Sequence, residues 1–199
     1  MRLSALRSVF AAVVLGLLVA SCGYNTIPTL EEQAKARWSE VQNQYQRRND
    51  LIANLVETVK GAANFEKSTL EAVVNARAKA TSIQITPNDL SDPAKVKQFQ
   101  DAQNQLSGAL GRLIAVSENY PDLKANQNFL ALQSQIEGTE NRIAVARRNY
   151  IASVQQFNTS LRTFPTVLWA KTFLAGTKAM AEFTADEGGN LVTLRKAIK

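Results

Sequence analysis

The stretch Phe129–Phe157, which reads FLALQSQIEGTENRIAVARRNYIASVQQF, indicates the class of fold. It contains no proline, and a large apolar residue returns at every seventh position. This spacing predicts a long α-helix that packs one face against other helices, as in a coiled coil. Because no proline lies between Pro121 and Phe157, we expect one helix from Pro121 to about Phe157, roughly 55 Å long. The repeating residues are Phe129, Ile136, Ile143, Tyr150 and Phe157.

Two earlier segments carry the same spacing, one before Pro87 and one after Pro93. The pattern of the first segment breaks near Gly61, which leaves open whether it forms one bent helix or two helices. Either Ser91 or Asp92 is a suitable cap for the helix of the second segment, with proline in its first turn. The apolar seams are Trp38, Val41, Tyr45, Ile52, Leu55 and Val59 in the first segment and Phe99, Leu106, Leu113 and Tyr120 in the second.

A last apolar helix is expected from Pro165 to about residue 185. Its apolar residues predict either core packing at the end of the bundle or contact with a partner or a membrane. No strand pattern competes, so we predict an all-α fold: an elongated antiparallel helical bundle of four to five long helices over residues 28–185, with a short tail over 186–199. The densest apolar patch comprises Phe164, Leu168, Trp169, Phe173 and Leu174.

The N-terminus has the features of a bacterial lipoprotein signal peptide over residues 1–21. A basic start precedes the apolar run Val9–Ala20, which is shorter than the roughly 20 residues that a membrane-spanning helix needs. Val19-Ala20-Ser21-Cys22 then resembles a lipobox, which predicts cleavage before Cys22, lipidation of its thiol and palmitate labelling, with residues 22–27 as the lipidated Cys and tether. The alternatives are an uncut signal anchor or a free thiol near a membrane.

These features predict a lipid-anchored protein of the cell envelope that faces the periplasm. Gly23 stands where inner-membrane lipoproteins of enteric bacteria carry Asp, so the site resembles that of an outer-membrane lipoprotein.

The composition excludes several classes of chemistry. The 199 residues include one Cys and no His, which excludes triads that use His, His-ligated zinc and intramolecular disulfides. Removing residues 1–21 takes away Arg2 and Arg7 and lowers the formal charge from +6 to +4, too little to indicate a nucleic-acid partner. We therefore predict no catalytic residue, no cofactor and no metal site.

One polar cluster is the candidate site. Arg48 occupies a seam position that should be apolar, which predicts a buried or half-buried ion pair with a carboxylate of a facing helix. Such groups usually fix the register between long helices, and a binding role is the alternative. The cluster comprises Arg47, Arg48, Asp50, Asn54 and Glu57 on one helix and Glu140, Asn141 and Arg142 on another.

Three stretches together resemble the LemA family of bacterial membrane-attached helical proteins. They are RRNDLIANLVETVKG over 47–61, YPDLKANQNF over 120–129 and TENRIAVARRNY over 139–150. The resemblance implies an elongated antiparallel bundle behind an N-terminal membrane segment, and it supplies no established biochemical activity. The chain departs from the family at Ala53, where proline is usual, and at Ile151, where asparagine is common.

The leading hypothesis is a non-enzymatic, membrane-anchored scaffold or adaptor for proteins of the cell envelope. The sequence identifies neither these partner proteins nor the oligomeric state. The alternative is a membrane-lipid interaction module that acts through the last helix and the basic tail Leu191–Lys199.

Overall fold

A computed structural model describes residues 24–63 and 65–183, and these residues are mainly helical without any strand. The signal segment, Cys22 and the tail over 186–199 lie outside the described residues. The all-α prediction is confirmed. The helices are α1 (Thr26–Lys60), α2 (Lys67–Ser82), a 3-10 helix (Pro87–Ser91), α3 (Pro93–Ser117), α4 (Pro121–Lys124), α5 (Gln127–Ser160) and α6 (Thr166–Lys171).

The two longest helices, α1 and α5, pack antiparallel. Trp38 contacts Tyr150, with ring centroids 5.3 Å apart, and Arg48 contacts Glu140, with an N–O distance of 2.8 Å. Moving forward along α1 therefore moves the contact backward along α5.

Helices α2 and α3 form the other antiparallel pair. At one end Lys79 donates a hydrogen bond to Gln105 (2.9 Å), and at the other Phe65 stacks on Tyr120 with centroids 4.8 Å apart. The four long helices thus run up, down, up and down, as the antiparallel prediction requires.

The first segment forms two helices rather than one bent helix. Helix α1 ends at Lys60, and Gly61 follows with φ −73° and ψ −13°, an ordinary right-handed conformation. The chain then turns and re-enters a helix at Lys67.

The expected single helix from Pro121 is wrong. Pro121–Lys124 forms only one turn, and α5 begins at Gln127. The Asn126 side chain accepts hydrogen bonds from the backbone N–H groups of Asn128 (2.9 Å) and Phe129 (3.1 Å). This cap satisfies two N–H groups that a new helix leaves free, so it marks a true helix start.

The expected last helix is also too long, because α6 ends at Lys171. The chain beyond it leaves the helix, yet Met180 and Phe183 are buried against α1 and α5. Asn158 holds this segment: its amide donates to the Met180 carbonyl and accepts from the Met180 N–H, both at 2.9 Å. Tertiary hydrogen bonds therefore replace the helical ones here.

The predicted apolar seams form the core, which divides into two clusters. The first surrounds the beginning of α1 and the end of α5, and the second surrounds the end of α1 and the beginning of α5. The seam residues of α1 and the five repeating residues of α5 are all buried. The first cluster includes Trp38, Phe99, Tyr150 and Phe157, and the second includes Leu55, Leu106, Leu113 and Ile136.

Candidate functional site

A buried arginine lies between the two clusters of the core. The Arg48 side chain of α1 is 1% exposed, and its Nη1 donates to Glu140 Oε1 and to Ser107 Oγ, both at 2.8 Å. Its Nη2 donates to Gln103 Oε1 at 2.5 Å and to the Gln103 carbonyl at 3.4 Å. Helices α1, α3 and α5 therefore meet at one guanidinium.

Helix α2 and an aromatic ring complete this polar layer. The Gln103 amide donates to the backbone carbonyl of Ala80 in α2, at 3.3 Å. The Arg48 Cζ atom lies 4.9 Å from the centroid of the Tyr45 ring, a cation–π distance. We define the polar layer as the side chains of Arg48, Gln103, Ser107 and Glu140, which belong to α1, α3 and α5 and bond to α2 through the Ala80 carbonyl.

The electrostatics of the layer depend on pairing. A charge buried without a partner is very costly, and here the Arg48 and Glu140 charges offset each other while Gln103 and Ser107 accept further hydrogen bonds. Not every donor of the guanidinium is paired, because Arg48 Nε has no hydrogen-bond partner among the described residues. Burial raises the pKa of the neighbouring Tyr45 hydroxyl, and the positive charge of Arg48 opposes that rise.

The layer is closed to solutes. Its four side chains are between 1% and 7% exposed, so a ligand could reach the guanidinium only if the helices separated. The geometry is that of a packing element that joins four helices, and a register-fixing role remains our prediction for it.

The eight predicted site residues separate into two groups. Arg48 and Glu140 form the ion pair that the seam position indicated. The other six are exposed: Asp50 accepts from Gln46 (3.0 Å) and Glu57 pairs with Lys60 (2.6 Å), each within α1. The exposed residues are Arg47, Asp50, Asn54, Glu57, Asn141 and Arg142.

Sequence reasoning missed Gln103 and Ser107. Gln103 follows Ala102, and Ser107 follows the seam residue Leu106, so in the sequence both are polar residues beside an apolar stripe. Such flanking residues usually face solvent, and only the packing of α3 against α1 turns these two inward.

Two shallow surface grooves run between α1 and α5. One, of about 360 Å³, is lined by Glu40, Gln44, Asn141 and Arg142 among others. The other, of about 410 Å³, lies toward the beginning of α1 and includes Arg37 in its lining. Two of the predicted site residues therefore line an open groove rather than the buried layer.

The predicted apolar patch is only partly core. Phe164, Leu168 and Phe173 are 76%, 55% and 72% exposed, whereas Trp169 and Leu174 pack partly against the first cluster. Core packing therefore accounts for two of these residues and leaves three on the surface.

Within residues 24–63 and 65–183, no helix combines the length and the apolar character needed to cross a bilayer. The same residues contain no grouping of three or more Asp, Glu or Cys side chains that could hold a metal ion.

Comparison with known proteins identifies a family model and several relatives that match the chain. The model of the LemA family matches residues 37–194. Protein LemA of Metamycoplasma hominis is 30% identical over 126 residues, which cover 63% of this chain and 53% of the relative. Magnetosome protein MamQ 2 of Paramagnetospirillum magneticum is 26% identical over 183 residues, which cover 84% of this chain and 66% of the relative.

A further relative is Magnetosome protein MamQ of Magnetospirillum gryphiswaldense, 26% identical over 158 residues that cover 71% of this chain and 58% of the relative. The chain thus spans between about half and two thirds of the length of these relatives. None of the three names states an enzymatic activity.

Proposed function

Because the chain belongs to the LemA family, we propose that it works as a lipid-anchored, non-enzymatic scaffold or adaptor for proteins of the cell envelope. The observation that carries the proposal is the position of Tyr24, which follows Cys22 closely in sequence. Tyr24 packs edge-on against Trp169, with centroids 5.8 Å apart, where α1 begins and the last helices end. From this end α1 and α5, of 35 and 34 residues, extend roughly 50 Å.

A lipid on Cys22 would therefore hold one end of a helical rod at the membrane. Two acyl chains give stable attachment, since each buried methylene contributes about 0.8 kcal/mol. The rest of the rod would stand in the periplasm, and Gly23 favours the outer membrane as its location.

The α1–α5 face is the surface that we assign to protein partners. It is continuous over the two grooves and carries exposed polar groups, including Asn141 and Arg142. Transient protein interfaces have this mixed polar character. The closed polar layer around Arg48 supports the non-enzymatic part of the proposal, because it gives a substrate no access.

The anchor is tested by labelling cells with palmitate. We expect the wild type to incorporate label and Cys22→Ser to incorporate none, because Cys22 is the single cysteine of the chain. Label in Cys22→Ser at the wild-type level would overturn the lipid anchor.

The adaptor role is tested by crosslinking in cells followed by affinity purification, with an unrelated lipidated protein of the same compartment as the reference. We expect envelope proteins to be enriched with the wild type and depleted with Arg142→Glu, which reverses a charge in the groove. Arg148→Glu is the matched control, since Arg148 is exposed on the same helix but does not line either groove. Equal recovery from the wild type and the reference protein would overturn the adaptor role.

A further inference from the structure

Large exposed apolar side chains are concentrated at one end of the bundle. Of the seven that the described residues contain, Tyr24, Phe164, Leu168 and Phe173 lie where α1 begins and α6 is located. The remaining ones, Val74, Leu130 and Val145, lie singly on different parts of the helices. Scattered apolar residues are normal on a protein surface, whereas a grouped set marks a contact surface.

Two of the grouped side chains, Tyr24 and Phe173, contact the ring of Trp169. Its ring lies 5.8 Å from the Tyr24 ring and 5.5 Å from the Phe173 ring, and Leu168 is its neighbour in α6. Trp169 itself packs partly against the first core cluster, so the group is fixed to the bundle. We define the end patch as Tyr24, Phe164, Leu168, Trp169 and Phe173.

We propose that the end patch lies on the lipid bilayer at the level of the headgroups, beside the anchor; this inference rests on the proposed lipidation of Cys22. The first argument is position. Cys22 precedes Tyr24 by two residues, and two residues span at most about 7 Å. A lipidated Cys22 would therefore keep the end patch within reach of the membrane surface, whereas a partner protein or a second copy would have to be recruited to it.

The second argument is chemistry. Trp and Tyr are enriched at membrane interfaces, because each ring combines an apolar body with a polar tip. Phe and Leu side chains beside them bury readily at the boundary between headgroups and acyl chains. The end patch contains this combination of residues.

The third argument is charge. The sequence has no acidic residue between Glu140 and Glu182, while Arg162, Lys171 and Lys178 are exposed in the segments that flank the end patch. The two acidic residues near the beginning of α1, Glu31 and Glu32, both pair with Lys35. Basic residues next to a bilayer are attracted to phosphate groups and to anionic lipids. An acidic partner would pair with the basic residues but would not bury the exposed rings. A bilayer does both, because its phosphate groups attract the basic residues and its acyl chains bury the rings.

The two tryptophans allow a direct test. The lipidated protein, purified from cells, is reconstituted into phosphatidylcholine vesicles with or without phosphatidylglycerol. Some vesicles carry brominated acyl chains, which quench tryptophan on contact. Trp38 is buried in the core and serves as an internal reference. We expect brominated lipid to reduce the emission of the wild type, more strongly with phosphatidylglycerol, and to leave Trp169→Phe unchanged.

Charge substitutions identify the surface that makes the contact. Leu168→Glu and Phe173→Glu change exposed side chains, so we expect both variants to fold and to lose most of the quenching. Leu130→Glu is the matched control, because Leu130 is a similarly exposed residue near the opposite end of α5. We expect it to retain wild-type quenching.

Flotation of the vesicles separates the two levels of the proposal. If the protein floats with the vesicles but Trp169 is not quenched, with or without anionic lipid, the end patch does not contact the bilayer, although the anchor holds. This result is expected if another protein segment or a second copy covers the end patch. If the protein purified from cells carries no lipid on Cys22, the proposed anchor is wrong, and the inference that rests on it is wrong as well. Quenching in Phe173→Glu equal to the wild type also overturns the inference.

Discussion

Arg48 places a charged guanidinium in the core of the bundle. A guanidinium in an apolar core costs several kcal/mol unless its charge and its hydrogen bonds are matched. Glu140 supplies the opposite charge, and Gln103 and Ser107 accept from the remaining Nη hydrogens. The two charges of the layer therefore depend on each other, and removing Arg48 or Glu140 leaves the other buried without its opposite charge.

The first prediction concerns single and paired substitutions in this layer. We expect Arg48→Met or Glu140→Leu alone to lower the free energy of unfolding by about 3–5 kcal/mol, because each leaves one buried charge unpaired. The variant with both changes should recover most of this loss, since no unpaired charge remains. Urea unfolding followed by circular dichroism measures all four proteins.

Lys97→Met provides the control, because Lys97 pairs with Asp101 at an exposed site of α3. It should change the stability little, as exposed ion pairs contribute weakly. Single variants in the layer that cost no more than Lys97→Met would contradict the coupled layer.

The second prediction concerns the buried hydroxyl of Tyr150. Burial raises its pKa above the ordinary tyrosine value, and the nearby Glu182 carboxylate acts in the same direction. The folded state therefore holds the phenolic proton more tightly than the unfolded state. This contribution to stability is fully present below about pH 10 and is lost as the pH rises further.

Tyr150→Phe should therefore respond differently to alkali. At pH 7 we expect it to lose about 1 kcal/mol, because the hydrogen bond to the Ala181 carbonyl (3.0 Å) is absent. As the pH rises above about 10, the difference should shrink, since phenylalanine cannot ionise. Urea unfolding at neutral and alkaline pH measures both proteins, and a constant difference would contradict the prediction.

At the scale of the elements, the sequence predicts helices well where local chemistry decides them. Of the two predicted caps, Ser91 and Asp92, it is Asp92 that caps α3, with its side chain accepting from the N–H groups of Ala94 (2.9 Å) and Lys95 (3.4 Å). The sequence also indicated the break near Gly61, but it did not show whether the segment bends or divides into two helices. Gly61 keeps a right-handed conformation, so the turn there depends on how α2 packs rather than on glycine geometry.

The end of α6 could not be predicted for the same kind of reason. Apolar spacing counts Met180 and Phe183 as further helical positions, because it detects burial but not the partner. The partner of Met180 is the Asn158 amide of α5, and Ala181 N–H donates to the Leu90 carbonyl at 2.7 Å. These contacts join residues far apart in sequence, which local patterns do not report.

The third prediction follows from this attachment. Asn158→Ala should lower the free energy of unfolding by about 2 kcal/mol, because two hydrogen bonds to the Met180 backbone are lost. We also expect faster proteolysis and faster hydrogen exchange over residues 172–183. Asn158→Asp should be intermediate, since it still accepts from the Met180 N–H but cannot donate.

Asn141→Ala is the control for this experiment, because Asn141 is exposed on the same helix. It should leave exchange over residues 172–183 at the wild-type rate. Equal exchange in Asn158→Ala and Asn141→Ala would show that burial of Met180 and Phe183 alone holds the segment.

At the scale of the whole molecule, the sequence predicted the class, the antiparallel order and an ion pair between Arg48 and a carboxylate of a facing helix. It could not assign Glu140 as the partner of Arg48, because that choice depends on the register between α1 and α5. The ladder Phe129, Ile136, Ile143, Tyr150 and Phe157 repeats every seven residues, so apolar packing alone tolerates a shift by one repeat. A charged pair at one level of the ladder distinguishes one register from the others.

The last prediction tests this role of the polar layer. In a Cys22→Ser background, Asn43→Cys on α1 and Arg148→Cys on α5 provide two exposed positions for spin labels. A slip of one repeat moves the labels by roughly 10 Å along the helix axis, which pulsed electron resonance resolves. We expect one narrow distance distribution with the native layer and a broader or divided one with Arg48→Met and Glu140→Leu combined, because a single buried polar pair can specify register at some cost in stability.

The control is Lys97→Met combined with Asp101→Leu, which removes an exposed pair and should leave the distribution narrow. An unchanged distribution in the variant without the layer would mean that the uneven sizes of the apolar side chains already fix the register.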